Sequence, residues 1–365
     1  MSDTTPTRAG MLERLAREAY QVPPGQRLGV RRMTPEDALG VARLFFAVYG
    51  ASYPFETYYV PERLVEANLR GDVLSAVAFT RLGDVVAHAA LYRSSAPFRG
   101  LFEAGQATVL PAYRSTFAMP AIGELLFEKV APSEEGIEAV FGEAVTLHVA
   151  TQRFGAMAGL VETGIEVGLM PAATYAGEGA GSDRISTVLA FRVLRDAPRP
   201  LFLPAEYAPE LRGLLPALGL PRELSPAAAA APPGSTTRLS PLFYDEAGVA
   251  RLNVEATGED FDAVLREAEG EARRRGCEVV QAFVNLGEAA CGAAVAALRA
   301  RGFFFGGVLP RWFDTDGLLL QRLPALPRLD ALLLDAERSR EILALVRADL
   351  ERNPSCRDLL AAAAR

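Results

Sequence analysis

The chain has 365 residues, of which 50% are hydrophobic, and a formal net charge of −7 from 45 acidic and 38 basic side chains. A chain of this length buries a sizeable core and has room for two domains of ordinary size. The basic residues form no block and no stripe interleaved with aromatic residues, so the composition argues against a nucleic-acid partner.

The three cysteines are too scattered for a disulfide framework or a zinc site, and we expect a reducing, cytoplasmic location. Residues 1–26 form a polar leader without an apolar signal core. No segment approaches the roughly 20 apolar residues that span a bilayer, so no membrane partner is expected. His88 and His148 lie in apolar segments without a third ligand at a suitable spacing, which predicts no metal.

The first half of the chain predicts a strand over Arg27–Met33, followed by a helix that ends near Gly50. Thr34 is suited to cap this helix, Pro35 to its first turn and Asp37 to its positive end. Hydrophobic periodicity gives the elements that follow. They are a helix from Glu62 to about Arg70, an antiparallel meander of strands over Leu74–Thr80, Val85–Arg93 and Phe102–Leu110, a helix over Pro120–Val130, a strand over Ala139–His148, a helix over Gln152–Leu160 and a closing strand over Ile185–Val193.

Residues 196–237 are rich in proline and alanine, which predicts a linker. Beyond it the pattern partly restarts. The predicted elements are strands over Arg238–Tyr244 and Val249–Glu255, a helix over Phe261–Arg275, a strand over Glu278–Val284, a helix over Glu288–Arg301 and, in a C-terminal helical segment from residue 324 to 365, a helix over Asp335–Glu351.

The two halves share a glycine signature that predicts an internal repeat. In the first half, Gly159–Gly164 leads through a proline to a further strand, and in the second half Gly302–Gly307 does the same. We therefore expect two similar units, over residues 27–195 and 238–323.

The most informative segment is the end of the third strand of the meander, Val109-Leu110-Pro111-Ala112-Tyr113-Arg114. With the helix that follows, it resembles the GNAT superfamily of acyl-CoA-dependent N-acyltransferases, in which Val-x-Pro-x-Tyr/Phe-Arg/Gln precedes a glycine-containing loop. The resemblance covers roughly Leu28–Val193 and, more faintly, Arg238–Leu323. It implies a mixed α/β (α+β) fold of two GNAT-like units, each a mixed, mostly antiparallel sheet flanked by helices, with the C-terminal unit degenerate.

The resemblance also implies acetyl-CoA or another acyl-CoA as co-substrate, with its pyrophosphate on the amides at the helix start. Phe117 and Met119 stand where the family has glycine, which lets the backbone approach closely and adopt positive φ. Two interpretations stay open: these side chains turn aside and CoA binds, or they plug the pocket. The implied cofactor-binding residues are Leu110, Arg114, Ser115, Thr116, Phe117, Ala118 and Met119.

Acyl transfer to an amine needs a base for the amine proton and an acid for the leaving thiolate. By the resemblance, Glu103 on the strand before the loop is the candidate base, and an exposed carboxylate without a catalytic role is the alternative. The family's tyrosine acid falls at Gly155. Tyr113 is therefore our candidate acid, with Tyr92 and His148 as further substitutes.

The aromatic residues Tyr53, Phe55 and Tyr58 lie where the resembled family lines its acceptor pocket. We expect them to bind an apolar or cationic substrate, with ordinary packing between helices as the alternative. The corresponding loop of the second unit, residues 256–260, holds two acids and no arginine, which disfavours phosphate. The sequence thus predicts an N-acyltransferase for a small-molecule or protein amine, with a homodimer as one option; the alternative is an inactive GNAT-like protein that binds a ligand or a partner.

Overall fold

The computed structural model describes residues 6–178, 183–357 and 359 and divides the chain into two compact units. The first unit contains the residues up to 94 together with 102–137, and the second contains 95–101 together with 138–365. The sequence placed the division at the proline-rich tract instead. Residues 1–5 of the predicted leader and the last residues of the C-terminal segment lie outside the described part of the chain.

The helices of the first unit begin in the leader, which the sequence left without structure. They are α1 (Arg8–Ala16), α2 (Ala38–Tyr49), α3 (Pro61–Leu69), α4 (Ala118–Glu124) and α5 (Ala131–Ser133), with a π-helical turn over Leu125–Val130 before α5. The start of α2 agrees with the prediction, because the backbone N–H of Thr34 donates to Asp37 Oδ2 over 2.9 Å and Pro35 opens a 3-10 turn that leads into the helix. Gly50 ends α2 with φ 58°, a conformation that glycine adopts without a Cβ clash.

The strands of the first unit form an antiparallel meander in which the three strands of the predicted meander are joined by the strand predicted at Arg27–Met33. They are β1 (Leu28–Arg32), β2 (Val73–Thr80), β3 (Val85–Tyr92) and β4 (Leu101–Val109), paired in that order. The tight turn between β2 and β3 contains Gly83 at φ 90°. Between His88 and Ala90 of β3 the pairing with β4 shifts by one residue, so β4 carries a β-bulge there.

The second unit contains a larger mixed sheet and a small parallel pair. Its strands are β5 (Ala139–Val145), β6 (Val161–Met170), β7 (Ile185–Val193), β8 (Arg199–Leu203), β9 (Arg222–Pro226), β10 (Arg238–Tyr244), β11 (Val249–Ala256), β12 (Val279–Asn285), β13 (Phe304–Phe313) and β14 (Thr315–Arg322). The order in the larger sheet is β5-β7-β6-β13-β14-β12-β11-β10, and only β11 and β12 pair in parallel. The mixed, mostly antiparallel sheet that the sequence predicts is confirmed.

Helices pack on this sheet and bury its apolar side chains. They are α6 (Ala150–Met157), α7 (Ala208–Leu214), α8 (Phe261–Arg274), α9 (Cys291–Ala300) and α10 (Glu337–Arg352). The core includes Leu265 of α8, Val295 of α9 and Val346 of α10, all fully buried. None of the helices in the described part of the chain is long and apolar enough to cross a membrane.

Two segments of the second unit have the same element order, and they meet at the paired glycines Gly164 and Gly307. The segment β5-α6-β6-β7 corresponds to β12-α9-β13-β14, and the sheet order runs outward from β6 and β13 in the same sense on both sides. At the junction, Gly307 pairs with Gly164. A Cβ on Gly307 would lie 2.3 Å from both the Cα of Gly164 and the carbonyl oxygen of Thr163, so only glycine fits here.

The proline- and alanine-rich segment 196–237 is not the open linker that the sequence predicts. It contains β8, α7 and β9, and its side chains Leu201, Tyr207 and Leu211 are fully buried. Composition misled here, because proline lies at the helix start and strand end where its missing N–H costs little.

A charged side chain, Arg251, lies inside the second unit among polar partners. Its guanidinium donates to Glu143 of β5 over 2.7 Å, to Glu166 of β6 over 3.0 Å and to Gln281 of β12 over 2.9 Å. Ser95 Oγ accepts a further bond of 2.7 Å. Because β11 is several strands away from β5 and β6 in the sheet order, these contacts show that the sheet curves around this cluster.

Candidate functional site

Aromatic rings gather in the first unit where α2 ends. The ring of Phe45 stacks on Tyr58 with centroids 4.6 Å apart and meets Tyr53 edge-on at 4.8 Å. Phe55 follows at 5.8 Å from Tyr53 and is 48% exposed. The structure thus brings together Tyr53, Phe55 and Tyr58, the residues that the sequence predicts for substrate binding, in a geometry typical of aromatic packing.

The loop that carries these rings, residues 50–58, is held by Arg8 of α1. The guanidinium of Arg8 donates to the carbonyl oxygens of Ala51 and Tyr53 over 3.0 and 2.8 Å. A longer bond of 3.5 Å reaches the carbonyl of Pro54. A cation that binds several carbonyls fixes the loop backbone, so the leader supports the aromatic cluster. Nothing in the polar composition of the leader predicted this role.

Glu103, the predicted base, lies half-buried on β4 beside two tyrosines. It pairs across the strands with Tyr92, whose hydroxyl donates to Glu103 Oε1. Burial first, and the negative charge of Glu103 second, raise the pKa of the Tyr58 hydroxyl. The carboxylate is therefore part of a tyrosine-lined site and not an isolated strand-end charge.

Gln106 links β4 to the aromatic loop. It is the bulge residue of β4, with φ 56°, and its Oε1 accepts a hydrogen bond from the Tyr53 hydroxyl. Few residues other than glycine adopt this left-handed conformation, so the surroundings of Gln106 must hold it there. No sequence pattern predicted the role of Gln106, because a bulge is set by the pairing of two strands.

His88 of β3 lies fully buried behind this bulge, and its ionisation predicts a pH effect. Burial lowers the pKa of His88 to about 4, whereas an unfolded histidine titrates near 6.5. Above pH 6.5 both states are neutral and the contribution of His88 to stability is complete. As the pH falls from about 6.5 to 4, His88 takes up a proton in the unfolded state but not in the folded state. The unfolding free energy therefore falls by about 3 kcal/mol.

In urea denaturation of the full chain we expect the unfolding free energy to be lower at pH 4.5 than at pH 7 by about 2 kcal/mol from His88. In His88→Asn, which cannot titrate, the fall in unfolding free energy between these pH values should be smaller by the same amount. An equal pH dependence in the two proteins would contradict the assignment.

The loop before α4 is open towards solvent. Phe117 is 86% exposed and has φ −76°, so its side chain turns away and its backbone needs no glycine. Of the loop amides, Thr116 N–H donates to the Tyr113 carbonyl over 3.1 Å and Ala118 N–H to Thr116 Oγ1 over 3.3 Å. Pro120 has no N–H. The Phe117 ring therefore does not cover the loop, whereas Met119 is half-buried, and part of the donor set of the loop is absent or already bonded.

At the end of the strand before this loop, the backbone N–H and carbonyl of Leu110 are hydrogen-bonded within the protein. The N–H of Leu110 donates to the Val86 carbonyl over 2.9 Å, and the carbonyl of Leu110 accepts from Tyr113 N–H over 2.8 Å. Arg114 is exposed at the end of the 3-10 turn, where its guanidinium can reach an anion in solvent. Arg114 therefore remains the cationic side chain of the predicted cofactor set, whereas the backbone of Leu110 is engaged.

Tyr113 does not fit the role of catalytic acid. Its side chain is fully buried, and its hydroxyl donates to the Pro23 carbonyl over 2.5 Å. Burial first, and the charge of Asp84 second, raise the pKa of this hydroxyl. The aromatic residue of the strand-end motif thus packs the leader against the first unit, which corrects the prediction.

The start of α8 is covered by the chain itself. Gly258 N–H donates to Thr237 Oγ1 and Glu259 N–H to the Ser235 carbonyl, each over 3.0 Å. A Cβ on Gly258 would lie 2.3–2.4 Å from backbone atoms of the same 235–237 segment. The amides that a phosphate would use are therefore already bonded to the protein. The two acidic residues of this loop disfavour a phosphate further.

Within residues 6–178 and 183–357 no three or more His, Cys, Asp or Glu side chains form a group that could hold a metal ion. The two histidines lie in different surroundings. His88 binds Gln106 and Ser75, and His148 lies half-buried after β5.

Comparison with known proteins gives matches of fold only. No protein-family model matches the chain, and no curated protein sequence matches it. Solved structures do match, each over about half of this chain. A protein from Desulfovibrio desulfuricans assigned as an acetyltransferase of the GNAT family is 19% identical, with 46% of this chain and 99% of that chain covered and a TM-score of 0.34.

Two further matches are similar in extent. The ribosomal-protein-S5-alanine acetyltransferase from Vibrio fischeri is 12% identical, covers 47% of this chain and 97% of its own, and has a TM-score of 0.36. A protein from Salmonella typhimurium assigned as an acetyltransferase, solved with acetyl-CoA, is 14% identical with 47% and 95% covered and a TM-score of 0.36. Each of these matches spans about half of this chain and nearly the whole of the solved structure.

Proposed function

We propose that this protein is an acyl-CoA-dependent N-acyltransferase that transfers an acetyl or other short acyl group to an amine by direct attack in a ternary complex. The observation that carries the proposal is the position of Glu103, bonded to Tyr92 and near Tyr58, on the strand that leads into the motif ending at Arg114. The aromatic loop beside it provides a wall for the amine substrate.

The chain's own residues have separate tasks in this proposal. Acyl-CoA, when bound, supplies the thioester carbonyl that the amine nitrogen attacks and the thiolate that leaves. Glu103 accepts the proton that the amine loses, and Tyr92 orients the carboxylate by its hydrogen bond. Tyr53 and Phe55 contact the apolar or cationic part of the amine. The substrate class, an amine on a small molecule or a protein, follows from this chemistry.

The loop fits the diphosphate of CoA in part. Exposed Arg114 supplies a cation, and the backbone from Ser115 to Met119 supplies amides at a helix start. Phe117 does not obstruct the approach, because its ring points to solvent. The proposal therefore assigns cofactor binding to the Arg114 side chain more than to the loop backbone.

A second function is a GNAT-like protein without catalysis that binds a ligand or a partner through the same site. It is favoured by the amides of Thr116 and Ala118, which are bonded within the loop, and by Pro120, which has no N–H. These features reduce the number of donors available for phosphate. Binding without turnover distinguishes this function from the first.

Calorimetric titration with acetyl-CoA and CoA tests cofactor binding. We expect micromolar binding that Arg114→Ala weakens about tenfold, since a charge-assisted contact to phosphate contributes roughly 1.5–3 kcal/mol in a buried setting and less in an exposed one. Arg17→Ala is the matched control, because Arg17 is an exposed arginine of the same unit with an 81% exposed side chain. Absence of binding by wild type would overturn the acyltransferase proposal.

A screen of amines with acetyl-CoA then separates the two functions. For any amine that is acylated, Glu103→Gln should lower kcat about 100-fold and leave the acetyl-CoA Kd unchanged, because the amide cannot take the amine proton. Binding of acetyl-CoA without turnover of any amine would favour the non-catalytic protein.

A further inference from the structure

The buried imidazole of His88 connects the helical side of the first unit to the bulge of β4. Its Nδ1 lies 2.9 Å from the Gln106 carbonyl oxygen, and its Nε2 lies 3.0 Å from Ser75 Oγ. Ser75 is in turn bound at both ends by Asn68 at the end of α3: Asn68 Nδ2 donates to Ser75 Oγ over 3.2 Å, and Ser75 N–H donates to Asn68 Oδ1 over 2.8 Å.

These contacts define the protonation of the ring. A carbonyl oxygen only accepts, so Nδ1 of His88 carries a proton and donates it to Gln106. Ser75 Oγ accepts from Asn68, which leaves its own hydrogen for Nε2 of His88. The ring is therefore neutral with the hydrogen on Nδ1, and the low pKa of the buried imidazole agrees with that state.

The carbonyl that His88 binds belongs to the bulge residue. His88 pairs with Thr108 and Ala90 with Gly105, so the two β4 residues between these pairs oppose a single residue of β3. Gln106 takes up the extra length with φ 56°. In this conformation the Oε1 atom of Gln106 accepts a hydrogen bond from the Tyr53 hydroxyl. Glu103 lies three residues earlier on the same strand.

We propose that His88 is a positioning residue: by binding the Gln106 carbonyl it fixes the left-handed bulge and so sets where Gln106 and Glu103 stand relative to Tyr53. The inference rests on the proposed function for its catalytic meaning, but the geometric role of His88 is testable alone. Phe45 and Tyr58 pack edge-on against the imidazole at 5.5 and 5.4 Å, which keeps water from competing for its hydrogen bonds.

Two substitutions separate the contacts of the ring. The amide nitrogen of Asn occupies the place of Nδ1, so His88→Asn keeps a donor for the Gln106 carbonyl and loses the contact with Ser75. The longer Gln reaches the place of Nε2, so His88→Gln keeps the contact with Ser75 and loses the donor to Gln106. A role in packing alone would be affected by both changes alike.

The experiment measures amide hydrogen exchange of residues 105–108 in the full-length protein, with nitrogen NMR of the wild-type imidazole. We expect the wild-type ring to show a protonated Nδ1 and an unprotonated Nε2 at pH 6. Exchange at the bulge should stay within about threefold of wild type in His88→Asn and rise at least tenfold in His88→Gln. Equal exchange in the two variants, or a wild-type ring protonated on Nε2, would overturn the proposal.

Titration of the same proteins with acetyl-CoA keeps the two proposals apart. Since Arg114 and not the bulge holds the cofactor, both His88 variants should bind acetyl-CoA with the wild-type Kd, while turnover of an acceptor amine should fall at least tenfold in His88→Gln only. Failure of wild type to bind acetyl-CoA counts against the acyltransferase and leaves the exchange result to decide the role of His88. Tenfold loss of turnover in both variants would contradict positioning through Gln106.

Discussion

Replacing Arg251 with methionine should lower the unfolding free energy of the second unit by about 3–5 kcal/mol at pH 8. Arg251 is the cation that faces Glu166 and Glu143, whose side chains are 1% and 17% exposed. Methionine fills similar space but leaves two carboxylates without their partner. Urea denaturation followed by fluorescence of Trp312, which belongs to the same unit, measures the loss.

The loss of unfolding free energy in Arg251→Met should depend on pH, because Glu166 can take up a proton. Burial first, and the charge of Glu143 second, already raise the pKa of Glu166 to about 7 with Arg251 in place. Without the arginine Glu166 takes up a proton more readily, so the loss of unfolding free energy in Arg251→Met should be smaller at pH 5 than at pH 8.

Two controls accompany this variant. Arg274→Met removes an arginine whose side chain is 68% exposed beside Glu271 and should cost less than about 1 kcal/mol. Adding Glu166→Gln to Arg251→Met should restore part of the stability, because one uncompensated charge is removed. A loss at Arg251 no greater than that at Arg274 would show that the buried cluster contributes nothing beyond a surface ion pair.

Gly307→Ala should cost about 3 kcal/mol or more, since the new Cβ would overlap backbone atoms and not a movable side chain. Those atoms, in Thr163 and Gly164, lie 2.3 Å from the Cβ position, and φ at Gly307 is 143°. The strands β6 and β13 would have to separate at the point where the two repeats join. A thermal melt of the purified variant measures the effect.

Gly276→Ala is the matched control for Gly307. Gly276 also has positive φ, 71°, but no atom lies within 4 Å of its Cβ position, so only the backbone penalty of about 1–2 kcal/mol is expected. If the two alanine variants melted at the same temperature, the close approach of β6 and β13 would not be a constraint on this fold.

The same junction shows where sequence patterns mislead. The glycine signature at 159–164 and 302–307 predicted a repeat, yet neither β6 nor β13 was predicted as a strand. Glycine has low strand propensity, so these segments lack a local strand signal. The glycines allow the backbones at Gly164 and Gly307, which are far apart in the chain, to pair closely. By contrast, Ile185–Val193 and Arg238–Tyr244 have the predicted bounds. The β-branched residues of the first strand and the leucine and aromatic residues of the second are local signals.

In the candidate site, the sequence predicted which residues take part but not how their side chains are arranged. Glu103 and the aromatic residues at 53, 55 and 58 were selected from their places in a resembled motif, and the structure groups the tyrosines with Glu103 through Tyr92 and the charge effect on Tyr58. Tyr113 was selected in the same way, but its hydroxyl binds Pro23. A motif specifies which residue stands at a strand end, whereas the direction of its side chain depends on what packs there.

What the sequence by itself determined is local: the capped start of α2, the meander of β2 to β4, the amphipathic helices of the second half and the acidic, arginine-free loop at 256–260. What only the tertiary structure decided is non-local: the bulge at Gln106, the clamp of Arg8 on the aromatic loop, the cover of residues 235–237 over Gly258 and the burial of Arg251. The physical reason is that periodicity and capping act over a few residues, whereas these contacts join residues that approach only after the strands have paired.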